Sequence, residues 1–444
     1  MAGGTWLNQN KVLPGVYIRF RSSGGLGLQV GERGTVTICE PLSWGPTDTV
    51  MEVESGADMT PFTGYDITNP KNRFLNEIFK GSNRTSAPTK LLLYRPSAAG
   101  AAPATVTTGT LTATAKYQGV RGNDISVVIT ELTDPEGTFT VSTVVDGEIV
   151  DQQTAKTVDT LLDNEWVTFS GTGALEATVG AMLTGGLDGT VNAADYSDYL
   201  TAIEPYKFDI IIYDGSDSAV KDAMVAFVKR LADENGQYSQ LVAANLTNPD
   251  SRFVINVASP ITLSDGTQLT AEQVCWWVGG ASAGAAYNKS LTYANYPSAV
   301  STTMLTQSQM AEAVSDGKFL FVAEDGQAKV LQDVNSLVSY TVEIGKVYHK
   351  NRVIRLCNTI ANDIYAQFSA NFIGVVNNNE QGRSLFKQAI VGYLLDIQAN
   401  EGIQNFEADD VEVLPGDDID AILVNVAFQA VDSVEKIYMT LEVG

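Results

Sequence analysis

Histidine and cysteine are nearly missing from this 444-residue chain, with one of the first and three of the second. Cys39, Cys275 and Cys357 stand far apart and form no CxxC pair. That excludes a zinc or disulfide framework and points to buried thiols in a reducing compartment. The single histidine, His349, lies in KVYHKNRVIR, where basic neighbours lower its pKa and make it a poor metal ligand. We expect it at a surface helix position. Positive charge is scarce too: 28 Lys and Arg face 52 Asp and Glu, giving a net charge of −24. Such a surface repels polyanions, so nucleic acid and anionic membranes are excluded as main partners. No apolar run is long enough to cross a bilayer, and no membrane insertion is expected. The opening MAGGTWLNQNKV lacks a basic-then-apolar layout, so no export by a signal peptide is expected. The glycosylation triplets at Asn83, Asn245 and Asn288 then read as chance.

Nucleotide and metal signatures are absent as well. There is no Walker A motif, and Gly24 to Gly31 lacks the GxGxxG spacing. The acidic runs Glu407–Glu412 and Asp417–Asp420 lack EF-hand spacing and read as solvated loops. No cofactor is expected. Gly280-Ala281-Ser282-Ala283-Gly284 matches GxSxG, but it follows the capping box Thr270–Gln273. Ser282 is therefore placed in a helix, where small residues permit close packing, and not on a nucleophile elbow. A hydrolase would have to use His349 as its only base.

What is present is an ordinary globular composition, 44% hydrophobic and 18% charged, with room for two to four domains. Residues 1–30 end in the glycine-rich SSGGLGLQVGERG, read as an arm and hinge. Residues 31–104 carry the buried strands TVTICE and KLLLYRP and a short helix at Asn72–Phe79. After the small-residue linker SAAGAAPATVTT comes an inserted β-rich module, 105–189, with an Asp146-Gly147 hairpin turn. Residues 190–345 alternate strand and helix: FDIIIY, an amphipathic helix over Ser216–Glu234, LVAAN, FVINVA, and a second capping box at Thr306–Gln309. Long helices are expected over Lys346–Phe372 and Glu380–Ala399, within a C-terminal α+β domain covering 346–444. The fold class is α/β multidomain.

Both ends of the chain read as amphipathic strands. VYIRFR places Val16, Ile18 and Phe20 on one face and Tyr17, Arg19 and Arg21 on the other. Ala421 to Val443 reads as two strands around a turn at Asp432-Ser433. In the second, Ile437, Met439, Leu441 and Val443 alternate strictly with polar residues or Tyr438. Burying those four side chains contributes on the order of 6–12 kcal/mol. Ordering the backbone costs about 1–2 kcal/mol per residue, so the strand gains nothing unless a sheet receives it. The residues leave two readings open: tucking into the chain's own edge, or strand addition to another copy. Lys346, Lys350, Arg352 and Arg355 cluster within ten residues, and Arg383 and Lys387 lie one helical turn apart. They form either a solvated face or a patch for an acidic partner.

A series of short blocks resembles the contractile tail sheath family of phages and R-type bacteriocins. They are PGVY (Pro14–Tyr17), GTVTICEPLSWGP (Gly34–Pro46), AKYQGVRGNDISV (Ala115–Val127), GGLDG (Gly185–Gly189), WWVGGASAG (Trp276–Gly284), DVNSLVS (Asp333–Ser339), NRVIR (Asn351–Arg355) and FIGVVNN (Phe372–Asn378). The resemblance implies a structural subunit, not an enzyme, stacked in six-fold rings as a helical sleeve around an inner tube. It implies baseplate and tail terminator proteins as further partners, and assembly in the bacterial host cytoplasm. It also implies terminal strands exchanged between subunits: Val16, Tyr17, Ile18 and Phe20 at one end, Ile437, Met439, Leu441 and Val443 at the other. The basic residues Lys346, Lys350, Arg352, Arg355, Arg383 and Lys387 become candidates to face the tube. The rival readings are a self-assembling surface-layer protein and a hydrolase using Ser282.

Overall fold

The computed structural model describes residues 2–4, 15–17, 30–31 and 33–443. Two compact units divide the chain: one takes residues 31–362 and 430–444, the other 1–30 and 363–429.

The first unit is built on a seven-stranded sheet. Its strands are β1 (Thr35–Cys39), β2 (Val50–Glu54), β3 (Lys90–Tyr94), β4 (Ile210–Tyr213), β5 (Gln240–Ala244), β6 (Val254–Val257) and β7 (Lys318–Phe319). Their order is β7-β6-β5-β4-β1-β3-β2, all parallel except β2. The runs TVTIC, KLLLY and IIIY are almost unbroken apolar sequence because both faces of the sheet are covered. Val36, Ile38, Ile210, Ile212, Val242 and Ile255 face a core with Val274, Trp277, Val278 and Ala281. Cys39, Leu92, Ile211 and Leu241 face the opposite core. There they meet helices α1 (Ala193–Ile203) and α2 (Ser218–Glu234) through Tyr199, Ile203, Met224, Phe227 and Val228. FLFVA splits: Phe319 ends β7, and Phe321–Glu324 turns back on Gln327–Val330.

Helix α3 (Ala271–Ala283) starts at the expected capping box: Thr270 Oγ1 accepts from Gln273 N, and Gln273 Oε1 accepts from Thr270 N. Its small residues exist for packing. A Cβ on Gly280 would lie 1.9 Å from the Ile78 carbonyl oxygen, and one on Gly279 would lie 2.4 Å from Ile212 Cδ1.

The inserted module, between β3 and α1, is a β-sandwich. A four-stranded antiparallel sheet (Ile125–Glu131, Phe139–Val145, Glu148–Ala155, Thr178–Met182) and a three-stranded one (Thr105–Thr108, Leu111–Ala115, Val167–Gly171) enclose Leu111, Ala113, Ile125, Val127, Val141 and Val167. The Asp146-Gly147 turn is present with both residues at positive φ, as a two-residue hairpin of this kind requires. Three of the sequence blocks meet where the module joins the sheet unit. Buried Arg121 bonds Asp146 through both terminal nitrogens, at 2.8 and 2.5 Å, and donates from Nε to the Gly64 carbonyl. Asp188 accepts from Val120 N and Ser43 Oγ. Gly119, at φ 125°, leaves 2.1 Å between a would-be Cβ and the Ser43 carbonyl oxygen.

Helix α4 (Asn351–Asn371) follows a 3₁₀ turn at Lys346–His349, so the long helix starts later than the periodicity suggests. Within the second unit, α5 (Glu380–Ala399) begins at the Asn379 cap and buries Phe386, Ile390, Tyr393, Leu394 and Ile397. Val411–Pro415 pairs antiparallel with Ile422–Val426, from Val411↔Val426 to Pro415↔Ile422. This corrects the expected hairpin around Asp432-Ser433. Strand 422–426 takes the segment before it as partner, across the acidic turn closed by Gly416 N to Ala421 O. At the other end, Gly15–Tyr17 is a strand paired in parallel with Ala2–Gly4, which places Val16 and Tyr17 in a strand. Ile18 and Phe20 lie outside the described residues.

Candidate functional site

Residues 436–443 are exposed throughout and belong to no helix or strand. Ile437, Met439, Leu441 and Val443 are 78, 74, 80 and 97% exposed. An eight-residue stretch with apolar side chains at every second position, left open to water, is a strand sequence with no sheet among the described residues.

Its root is held firmly. Glu435 Oε1 accepts from Thr292 Oγ1 at 2.7 Å; Oε2 accepts from Gln332 Nε2 at 2.6 Å and from Lys350 Nζ. Burial alone would raise the Glu435 carboxyl pKa, but these three donors outweigh it and hold the group below the ordinary carboxylate range. Thr292 Oγ1 also accepts from Asp333 N at 3.0 Å. Asp333 in turn accepts from Leu291 N at 2.9 Å, Asn351 Nδ2 at 2.9 Å and Arg355 at 2.5 Å. Arg355 and Asp333 are 0 and 1% exposed as an ion pair. The socket therefore rests on a fully buried, hydrogen-bonded network.

That network breaks up the expected basic patch. Arg355 and Arg352 are buried, Lys350 is engaged by Glu435, and Arg383 donates to Asn378 Oδ1. Lys346 is exposed and Lys387 partly so. Arg352 and Arg355 look like surface charges in the sequence because Asp333, which draws Arg355 inward, lies 22 residues away. His349 is likewise buried, with Nδ1 bonded to the Leu337 carbonyl at 2.7 Å, and not on a helix surface. Burial first, and then Lys350 and Lys346, lower its pKa. The clue to the socket was already in the blocks DVNSLVS and NRVIR, which supply Asp333, Asn351 and Arg355.

Two other places hold chemistry-bearing groups. Ser282 is wholly buried inside α3 and cannot meet a substrate. Glu40 and Asp214 follow the C-terminal ends of β1 and β4, the switch point of the sheet. Trp276 Nε1 donates to Asp214 Oδ2 at 2.8 Å. Burial raises both pKa values, and for Glu40 the Asp214 charge adds to it. Cys39 and Cys275 are buried free thiols, and burial pushes the half-buried Cys357 up to about 11. Among the described residues no group of three or more His, Cys, Asp and Glu could hold a metal, and no helix is long and apolar enough to cross a membrane.

Comparison with known proteins covers nearly the whole chain. Residues 33–95 match the tail sheath protein Gp18 domain III N-terminal region, and 97–188 the phage tail sheath beta-sandwich domain. Residues 189–336 match the phage tail sheath central domain, and 343–444 the C-terminal domain. The crystal structure of the sheath tail protein of Desulfitobacterium hafniense is 43% identical, with a TM-score of 0.86 over 96% of this chain and 99% of that one. The phage-like element PBSX protein XkdK of Bacillus subtilis is 33% identical over the full length of both chains. The anti-feeding prophage helical sheath, solved in its contracted state, is 13% identical with a TM-score of 0.58 over 97% of this chain and 99% of that one, a likeness of fold. With its buried serine, its open C-terminal strand sequence and tail sheath domains from residue 33 to the last, the chain belongs to the phage tail sheath protein family, a family of structural proteins and not of enzymes.

Proposed function

We propose that this subunit polymerises around an inner tube as a contractile sheath, in six-fold rings joined by exchanged terminal strands. The observation that carries this reading is the exposed alternation of Ile437, Met439, Leu441 and Val443 on a segment that pairs with no strand among the described residues. Inserted at the edge of a neighbour's sheet, the segment would bury one face and satisfy its backbone. Val16, Tyr17, Ile18 and Phe20 are assigned the matching role at the other end. The sheath assembles in an extended, metastable form and shortens on triggering, driving the tube through the target envelope. The energy is the difference between two packings of one set of subunits, and no nucleotide takes part. The likeness to a sheath solved in its contracted state supports the contractile part.

Tube contact is assigned to the basic side chains left at the surface, Lys346 in one unit, and Lys387 with the Arg383 edge in the other. Baseplate and terminator proteins close the two ends, the β-sandwich faces outward, and assembly takes place in the host cytoplasm. Electron microscopy of the purified protein is expected to reveal rings or tubes. A protein that stays monomeric at high concentration, both alone and with a matching tube protein, contradicts the reading. Charge reversal at Lys346 and Lys387 is expected to weaken co-assembly with the tube; unchanged co-assembly removes them from the contact.

A further inference from the structure

The arm does not hang from a loose tail. Asp333, held by Asn351 and Arg355, fixes Thr292 from below, and Thr292, Gln332 and Lys350 together grip both oxygens of Glu435. Every described residue after Glu435 is exposed. Held and released segments thus meet at one side chain.

We propose that Glu435 is a positioning residue for assembly: its socket sets the point and direction in which the exchanged arm leaves the subunit, so that residues 436–443 reach the neighbouring copy already oriented. The inference rests on the strand-exchange reading and adds to it the part of the subunit that aims the strand. The physical ground is pre-organisation. An arm free from Ala430 onward must have residues 430–435 ordered at the moment of docking, and that entropy is charged against association. An arm anchored at Glu435 has those residues ordered in the monomer, and its tip samples a smaller volume at a higher effective concentration near the receiving edge. The anchor is a charge-assisted contact between a carboxylate and an ammonium, with two neutral donors completing it. It therefore requires opposite charges at 350 and 435, which gives the inference a signature that mere packing lacks.

The test uses the full chain and four variants: Glu435→Ala, Lys350→Ala, the charge swap Glu435→Lys with Lys350→Glu, and a truncation after Lys436. Sedimentation velocity gives the concentration at which each polymerises, and thermal denaturation reports the body. The inference expects Glu435→Ala and Lys350→Ala to raise the threshold about tenfold or more, with the body still folded. The charge swap is expected to bring it back toward that of the parent chain. Truncation is expected to abolish polymerisation. A truncated chain that polymerises normally overturns strand exchange itself. If truncation abolishes assembly but Glu435→Ala and Lys350→Ala assemble like the parent, the anchor is overturned and strand exchange stands. Should either alanine variant fail to fold, the swap decides. A folded swap that assembles no better than the truncation overturns the anchor, and recovery supports it.

Discussion

Strand β4 and the C-terminal arm are both β-forming sequence, and they meet opposite fates in the single chain. β4 reads IIIY, all four side chains are buried, and it lies between β1 and β5 with helices over both faces. The arm reads KIYMTLEV and is exposed along its length. Their sequence patterns differ in the same sense. Unbroken apolar residues suit a strand covered on both faces, and strict alternation suits one that is covered on one. The arm's pattern thus specifies a half-buried strand for which the described residues offer no sheet. Beneath the arm's root the chain buries Asp333, Asn351 and Arg355, in the part that has to stay rigid.

The largest effect expected is on assembly. Ile437→Asp with Leu441→Asp removes two apolar anchors and is expected to weaken each arm contact by roughly 3–6 kcal/mol. The melting temperature of the monomer should stay unchanged. Light scattering and calorimetry on the same samples check both halves, and a destabilised monomer would mean that the arm is part of the body. The inverse case is Asp333→Ala, which leaves Arg355 as an uncompensated buried charge and is expected to cost about 3–5 kcal/mol in urea unfolding. A loss below about 1 kcal/mol would place the pair nearer solvent than its 0 and 1% exposure.

Gly280→Ala probes the packing of α3 on the sheet unit. A Cβ there meets the Ile78 carbonyl oxygen at 1.9 Å, so a loss of about 1–3 kcal/mol is expected, read as a lower denaturant midpoint. The smallest effect concerns pH. Glu40 has its pKa raised in the folded state by burial, then by Asp214. A raised carboxyl contributes stability that is fully present below its unfolded pKa and is lost as pH rises through the folded one. Glu40→Gln keeps an amide that can bond Asp214 and removes this loss. The stability difference between variant and parent should therefore grow in the variant's favour as pH rises, by at most about 1.4 kcal/mol per pH unit. A difference independent of pH would mean that Glu40 does not carry the proton.

Much of this architecture could be read locally. Glu380–Ala399 shows as a helix because the sequence supplies both the Asn379 cap and the periodicity. The capping boxes at Thr270 and Thr306 and the Asp146-Gly147 turn form where the sequence puts them, since each depends on neighbours a few residues apart. What could not be read locally depends on distant partners. Val411–Pro415 is hidden by its acidic flanks, and only pairing with Ile422–Val426 reveals it as a strand. Arg355 and His349 resemble surface residues in a basic run until Asp333 and the Leu337 carbonyl appear beside them. The order of the sheet, with β1 and β4 adjacent although the whole β-sandwich separates them in sequence, follows from packing that no local pattern records.

The most direct test of the central claim is a cryo-electron microscopy map of the assembled polymer, traced through the last residues of each subunit. The account predicts that 437–443 of one copy forms backbone hydrogen bonds with a strand of another copy, while Glu435 stays in the Thr292, Gln332 and Lys350 socket of its own. Continuous density returning the arm to its own chain would contradict it.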